Sequence, residues 1–310
     1  MGSLLEVPGL RIGHWTGQRT GCTVVLAPPE GAVAGVDVRG GAAGTYNLEA
    51  LRPLNIVERV NALVLTGGSA FGLETCAGAM HWLREQDTGF LYGGVRVPIV
   101  SGAVIFDLGV AQGPAPDLQA GYAASAAASL DEDRRGLVGA GAGATVGKAL
   151  GRDHALPGGL GMASVRAGQH VVGALAVVNA FGDVVDRQGS ILAGARRSDG
   201  TFADAVALIA EDGLLRHATL ANTTLAVVAT TAPLTREGVV KLAQMGHDGM
   251  ARAIRPIHTM VDGDVVFALS VAEPHAEAGD VSALGAMAAE AVQDAIIDAV
   301  QHAAIQGGAR

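Results

Sequence analysis

The sequence predicts an α+β protein of layered type, an αββα sandwich in which helices cover two stacked sheets. Apolar, strand-like stretches gather in runs, early at residues 10–38 and again at 163–186, while the long helical stretches stand together near the C-terminus. Strict βαβ alternation would space them evenly, so stacked sheets under paired helices fit better. Composition agrees: 49% of the 310 residues are hydrophobic, enough for a large core, and only 16% are charged. The 45 glycines describe close-packed, turn-rich layers in which backbones approach one another.

Taken in order, residues 10–26 read as two short strands around the polar turn Thr16-Gly-Gln-Arg-Thr-Gly21, and Ala32–Val38 as a third. A glycine-rich loop, Arg39-Gly-Gly-Ala-Ala-Gly-Thr45, follows. Asn61–Thr66 reads as a buried strand and Gly67-Gly68-Ser69 as a tight turn. Ala70–Gln86 reads as a helix with Phe71, Ala77, Met80 and Leu83 near one face. Such a strand, turn and helix start make a ligand-facing corner. Val97–Leu108 is a further apolar segment, Gly121–Leu130 an Ala-rich helix, and Gly139–Lys148 a second glycine loop. Ala163–Val165 and His170–Asn179 pair as a hairpin, and Phe181-Gly-Asp183 turns into Val184–Asp186. A helix at Phe202–Glu211 interrupts 188–222, the most linker-like part of the chain. Thr223–Thr230 restores a strand. Thr235 caps an amphipathic helix to Ile254, Val265–Ser270 is a strand, and Val281–Ile305 is a long helix with Leu284, Ala288, Ala291 and Ala295 inward. No repeat and no boundary divides residues 1–310, so one domain is expected.

Charge and motif spacing exclude several classes. A net charge of -9 without a basic stripe removes the footprint of a nucleic-acid binder. No long uncharged apolar run marks a membrane span or leader, so a cytoplasmic protein with no membrane partner is expected. Cys22 and Cys76 lie outside any disulfide framework or metal-ligand spacing and read as buried thiols, and the nine histidines form no HExxH, so no metal and no cofactor are expected. Gly139–Lys148 misses the P-loop register, because Ala142 and Ala149 stand where Gly and Ser or Thr belong. Lys148 reads as a surface lysine or a site residue. Thr66–Gly72 misses the nucleophile elbow of a serine hydrolase, which leaves Ser69 as the cap of the next helix.

Asn222-Thr223-Thr224 places a hydroxyl at the mouth of a buried strand. Taken alone this is a Thr-rich strand start. A chemical alternative is that the Thr223 hydroxyl attacks the Asn222 carbonyl. Hydrolysis of the ester then frees an α-amine with an ordinary pKa of about 7.7 to 8, which serves as base beside its own hydroxyl. Such a nucleophile needs no separate histidine. Asp262-Gly263-Asp264 puts two carboxylates on one side of an extended stretch, where they either form a turn or orient the ammonium and hydroxyl of Thr223. Asn179, ending an apolar strand, is a turn residue or an oxyanion donor.

These segments together resemble the DmpA-like peptidases, a family of L-aminopeptidase/D-esterases, β-peptidyl aminopeptidases and nylon-oligomer hydrolases. The resemblance runs through Arg11-Ile-Gly-His14, Arg39-Gly-Gly, Leu65–Leu73, Gly141–Lys148, Asn179-Ala, Asn222-Thr-Thr-Leu and Arg255-Pro256 leading to Asp262-Gly-Asp264. It implies an αββα sandwich of the DmpA/ornithine acetyltransferase type, cleavage between Asn222 and Thr223, and amide hydrolysis by the exposed threonine. It implies Thr223 as nucleophile, Asp262 and Asp264 as orienting carboxylates, Asn179 as oxyanion donor and Lys148 as a site residue, with substrate at Gly67, Gly68, Ser69 and Phe106. The family pattern has a tyrosine near Val104–Asp107, where this chain carries Phe106 without a hydroxyl. A small peptide or amino-acid amide substrate and a tetramer of cleaved protomers are implied as well. An acyltransferase of the ornithine acetyltransferase type and an uncleaved small-molecule binder are the competing readings.

Overall fold

The computed structural model describes residues 2–214, 222–272 and 279–308. Its first sheet has five strands, in the order Arg11–Thr16, Gly21–Leu26, Ala62–Thr66, Val100–Val104 and Thr45–Tyr46. The second has six, in the order Leu160–Ala167, His170–Asn179, Thr223–Thr230, Asp264–Ser270, Ala32–Arg39 and Arg59–Val60. The early strands therefore divide between sheets, since the two strands of 11–26 stay in the first and 32–39 crosses to the second.

Three apolar layers follow from period-two alternation. Ile12, Val25, Leu63 and Leu65 of the first sheet meet Leu175, Val177, Leu225, Val227, Val265 and Phe267 of the second, which forms the core between sheets. The opposite parity, with Val172, Ala174, Ala226, Val228, Val266 and Ala268, faces helices Arg236–Ala253 and Val281–Gln306. Because Thr223–Thr230 is central and covered on both faces, it reads as an unbroken apolar run instead of an alternating one. Each such Leu or Val contributes roughly 1.5–3 kcal/mol by leaving water. Helices Glu74–Glu85 and Leu118–Ala126 cover the outer face of the first sheet, packed on Val24, Val64 and Val100. The two helices nearly touch: a Cβ on Gly78 would lie 2.0 Å from the Leu118 carbonyl oxygen, and one on Gly121 2.0 Å from that of Thr75.

The expected αββα layering is thus observed, with corrections in detail. Phe71 is 69% exposed and belongs to a 3₁₀ turn, Ser69–Leu73, that precedes the α-helix and aims its side chain outward. Ser69 has φ 52° and its side chain caps nothing, because the turn already closes on backbone groups and the α-helix begins only at Glu74. The Ala-rich helix starts at Leu118, where the Asp117 carboxylate accepts the Ala120 N–H. The linker-like stretch contains strand Ile191–Ala193 and helix Ala205–Asp212, and residues 215–221 lie outside the described residues. Thr235 does cap its helix, accepting the Gly238 N–H at 3.1 Å. Cys22 and Cys76 are buried and unbonded, and burial raises both thiols, Cys76 to about 12. Among the described residues, no helix is long and apolar enough to cross a membrane.

Candidate active site

Strand register alone brings Thr223 and Asn179 together. They are direct partners in the antiparallel pairing of His170–Asn179 with Thr223–Thr230. Parity sets both on the face between the sheets, in step with Leu225 and Val177. On the other side of Thr223–Thr230, Asp264–Ser270 runs parallel and begins so that Asn222 bridges to Asp262. The Asp-Gly-Asp segment is therefore the entry to a parallel strand and not a hairpin turn.

The Asn222–Thr223 peptide is engaged from several directions. The Thr223 hydroxyl donates to the Asn222 carbonyl oxygen at 2.5 Å, and the Gly263 N–H donates to the same oxygen at 2.9 Å. Thr223 is 4% exposed. The Thr224 N–H donates to Asp264 Oδ1 at 2.6 Å, so Asp264 reaches the nucleophile candidate through the next residue's backbone. Val265 and Phe267 face the inter-sheet core, and that places the Asp264 side chain on the helix side of the sheet.

Asp262 is fully buried; its Oδ2 accepts the Thr259 N–H and hydroxyl, and its Oδ1 has no hydrogen-bond partner among the described residues. Burial first, and then the charge of Asp264, push the Asp262 carboxyl up to about 6. The folded chain thus holds a proton that the unfolded chain loses near 3.8. Between those values the folded state binds more protons, so stability falls as pH rises from about 4 to about 6, and the full cost is present above that. We expect Asp262→Asn to gain on wild type across this window by about 3 kcal/mol at most. Parallel pH dependences of the two thermal midpoints would contradict it.

Lys148, 2% exposed, is a buried lysine and not a surface one. Its ammonium donates to the Asn179 carbonyl at 2.8 Å and to Asn179 Oδ1 at 3.0 Å. Burial pulls its pKa down to about 7; Asp262 opposes this, Arg152 adds to it, and Asp264 opposes it. The Thr145 N–H also donates to Asn179 Oδ1, at 3.0 Å, so the amide is oriented with its NH₂ toward the Phe106 carbonyl, 3.3 Å away. The Arg152 guanidinium lies 5.5 Å over the Phe106 ring, and both border a narrow crevice beside Lys148.

Thr223, Asn222, Asp262, Asp264, Asn179, Lys148 and the Phe106 backbone therefore converge. Gly67, Gly68 and Ser69 sit one step away: the Gly68 N–H donates to Asp107 Oδ1 at 2.7 Å and the Ser69 N–H to the Ile105 carbonyl at 3.0 Å, flanking Phe106. Three further contributors escape a reading of the sequence. They are the Gly263 N–H, the Arg39–Thr45 loop whose Ala42 N–H donates to the Asp262 carbonyl, and His258, bonded to Asp264. The glycine between two aspartates and the Arg39-Gly-Gly match carried the hints. Among the described residues no His, Cys, Asp and Glu cluster has the form of a metal site.

The fold is a layered αββα sandwich, and the chain is a hydrolase acting on peptide or other amide bonds. The pattern of peptidase family S58 matches residues 2–310, and the chain belongs to that family. An uncharacterized aminopeptidase of Mycobacterium tuberculosis is 42% identical, over 98% of this chain and 94% of its own. A 6-aminohexanoate-oligomer endohydrolase of Paenarthrobacter ureafaciens is 33% identical over 95% and 84%. Among solved structures, a Burkholderia β-aminopeptidase superposes with a TM-score of 0.69 at 24% identity, covering 96% of this chain and 86% of that one. The L-aminopeptidase D-Ala-esterase/amidase of Ochrobactrum anthropi, described as a variant of the Ntn hydrolase fold, gives 0.71 at 17% over 97% and 86%. At those identities the two structures speak for the fold.

Proposed function

We propose that this hydrolase cuts its own Asn222–Thr223 bond and then uses Thr223 as an N-terminal nucleophile on small peptides or amino-acid amides. The observation that carries the reading is the doubly bonded Asn222 carbonyl, with the Thr223 hydroxyl on one side and the Gly263 N–H on the other. A carbonyl polarised by a fixed N–H and touched by a hydroxyl is arranged for attack at its carbon. The Thr223 Oγ1 forms the new C–O bond, the C–N bond breaks with a proton passing to the Thr223 nitrogen, and water hydrolyses the ester to the Asn222 carboxylate.

Cleavage leaves the Thr223 amine beside its own hydroxyl. Asp262 Oδ1, buried and unpartnered among the described residues, is available to hold the ammonium form, while Asp264 keeps the strand in place through the Thr224 N–H. The Gly263 N–H, relieved of the Asn222 carbonyl, then serves the substrate's oxyanion together with Asn179, whose amide the Lys148 ammonium fixes. The amine takes the hydroxyl proton, the acyl group passes to Oγ1 with loss of the substrate's amine, and water completes turnover. The names of two relatives, a 6-aminohexanoate-oligomer endohydrolase and a β-aminopeptidase, bring ω- and β-amino-acid amides into consideration beside α-amino-acid amides.

Intact mass of the purified protein tests the reading. Fragments 1–222 and 223–310 are expected, and processed enzyme is expected to hydrolyse members of a panel of α-, β- and ω-amino-acid amides. A single uncut chain that turns amides over removes the N-terminal threonine from the mechanism.

A further inference from the structure

Asp264 is held at both oxygens. Oδ1 carries the Thr224 N–H; Oδ2 accepts the His258 backbone N–H at 3.1 Å and the His258 ring Nδ1 at 2.8 Å. A carboxylate oxygen only accepts, so Nδ1 is the ring nitrogen that bears hydrogen. His258 Nε2 is buried and has no hydrogen-bond partner among the described residues, so the ring's one directed bond there is to Asp264.

The ring is itself held in place. His258 has φ 59°, a left-handed conformation that histidine and asparagine tolerate better than most residues. Its ring meets that of His247 edge-on, with centroids 4.7 Å apart at 76°. His247 is fully buried in helix Arg236–Ala253, and its Nε2 bonds the Asp37 carbonyl at 3.0 Å, so the hydrogen lies on Nε2. Burial takes its pKa down to about 4, which keeps it uncharged beside His258. The Arg39 side chain fixes Asp37 in turn, Nε to Oδ2 at 2.9 Å. A helix, an edge of the sheet and a loop thus converge on the orientation of one carboxyl group.

We propose that His258 is a positioning residue: its Nδ1–H locks the Asp264 carboxyl so that Oδ1 stays on the Thr224 N–H and Thr223 stays in register beside Asn179 and Gly263. The inference rests on Thr223 being the nucleophile. Without the ring N–H only the His258 backbone N–H still holds Oδ2, the carboxyl turns more easily about its terminal bond, its grip on the Thr224 N–H loosens, and the hydroxyl drifts from the carbonyl it must attack.

The test uses full-length chains carrying His258→Asn, His258→Gln and His258→Ala. Self-cleavage is followed by intact mass, and kcat and KM are measured on a linear 6-aminohexanoate oligomer and β-alanine p-nitroanilide. The asparagine amide nitrogen occupies the place of Nδ1 and asparagine accepts the left-handed backbone, whereas the glutamine amide reaches toward the place of Nε2. His258→Ala and His258→Gln are expected to cleave and turn over at least about tenfold, and up to roughly 100-fold, more slowly through kcat, with KM little changed. His258→Asn is expected to recover most of the rate. If alanine misfolds, the comparison of Asn with Gln still decides. Folded Gln and Asn variants that match each other, whether both fast or both slow, overturn the proposal. A wild type that neither cleaves nor turns over overturns the Thr223 reading and this one with it. Full turnover by Thr223→Ala overturns the Thr223 reading and this one with it, whereas matching Asn and Gln variants in an enzyme that needs Thr223 overturn this one alone.

Discussion

Thr223→Ala is expected to remain a full-length chain and to lose amide hydrolysis by at least about 10⁴-fold, the scale on which removing a nucleophile acts. The substitution deletes the only hydroxyl among the described residues that touches the Asn222 carbonyl, and by preventing cleavage it also withholds the amine that would serve as base. Loss of fold does not explain such a result. The Thr223 hydroxyl bonds only to its own preceding carbonyl among the described residues, and that oxygen keeps the Gly263 N–H when the hydroxyl is gone. The thermal midpoint should therefore change little, the net worth of one such bond being about 1 kcal/mol. Thr223→Ser retains the hydroxyl, lacks the methyl that restricts χ1, and is expected to cleave more slowly but to completion. Intact mass and turnover on the same preparations read all three outcomes. Cleavage in the alanine chain would transfer the attack to another group.

How far this site could be read beforehand depends on where its parts come from. The layers were legible because each rests on a long regular stretch: Leu225–Ala229 and Val171–Val178 are apolar throughout, as central strands covered on both faces must be. Val281–Gln306 repeats small residues on its inward face. Thr223, Asp262, Asp264, Asn179 and Lys148 were legible as a set through family resemblance and not through pattern, since no local rule separates Asn222-Thr223 from an ordinary strand start. Phe71 was misjudged because a helical period was carried across a 3₁₀ turn that points it outward. The Arg39–Thr45 loop shows only as a glycine-rich stretch within the resemblance, and His258 leaves no signal. Their roles arise from bonds such as Ala42 to Asp262, which exists only once the two segments are packed, and His258 to Asp264, six residues apart in one loop.

Gly263→Ala is expected to be the most damaging substitution that removes no functional group. A Cβ at this position would lie 2.7 Å from the Ala42 carbonyl oxygen, 2.9 Å from Thr223 Oγ1 and 3.0 Å from the Ala43 Cα. Two of these neighbours are backbone of the Arg39–Thr45 loop, which is tied down by the Ala42 N–H on the Asp262 carbonyl, so the loop has little room to retreat. The strain must then move Thr223 or the Gly263 peptide itself. Either motion separates the hydroxyl from the carbonyl, or withdraws the N–H that polarises it. Misplacement of a reacting group and loss of one oxyanion donor each cost roughly 10²- to 10³-fold, so both self-cleavage and turnover should fall by about 10³-fold. Overpacking of this size costs about 1–3 kcal/mol, which leaves a folded chain on which to measure. The same methyl placed at Gly168, where a Cβ meets nothing within 4 Å and the φ of 62° adds a strain that Gly263 lacks, bounds the effect of a glycine-to-alanine change away from the site. If the Gly263 variant cleaves as fast as wild type, the close packing of the Asp-Gly-Asp segment against Thr223 has no part in the chemistry.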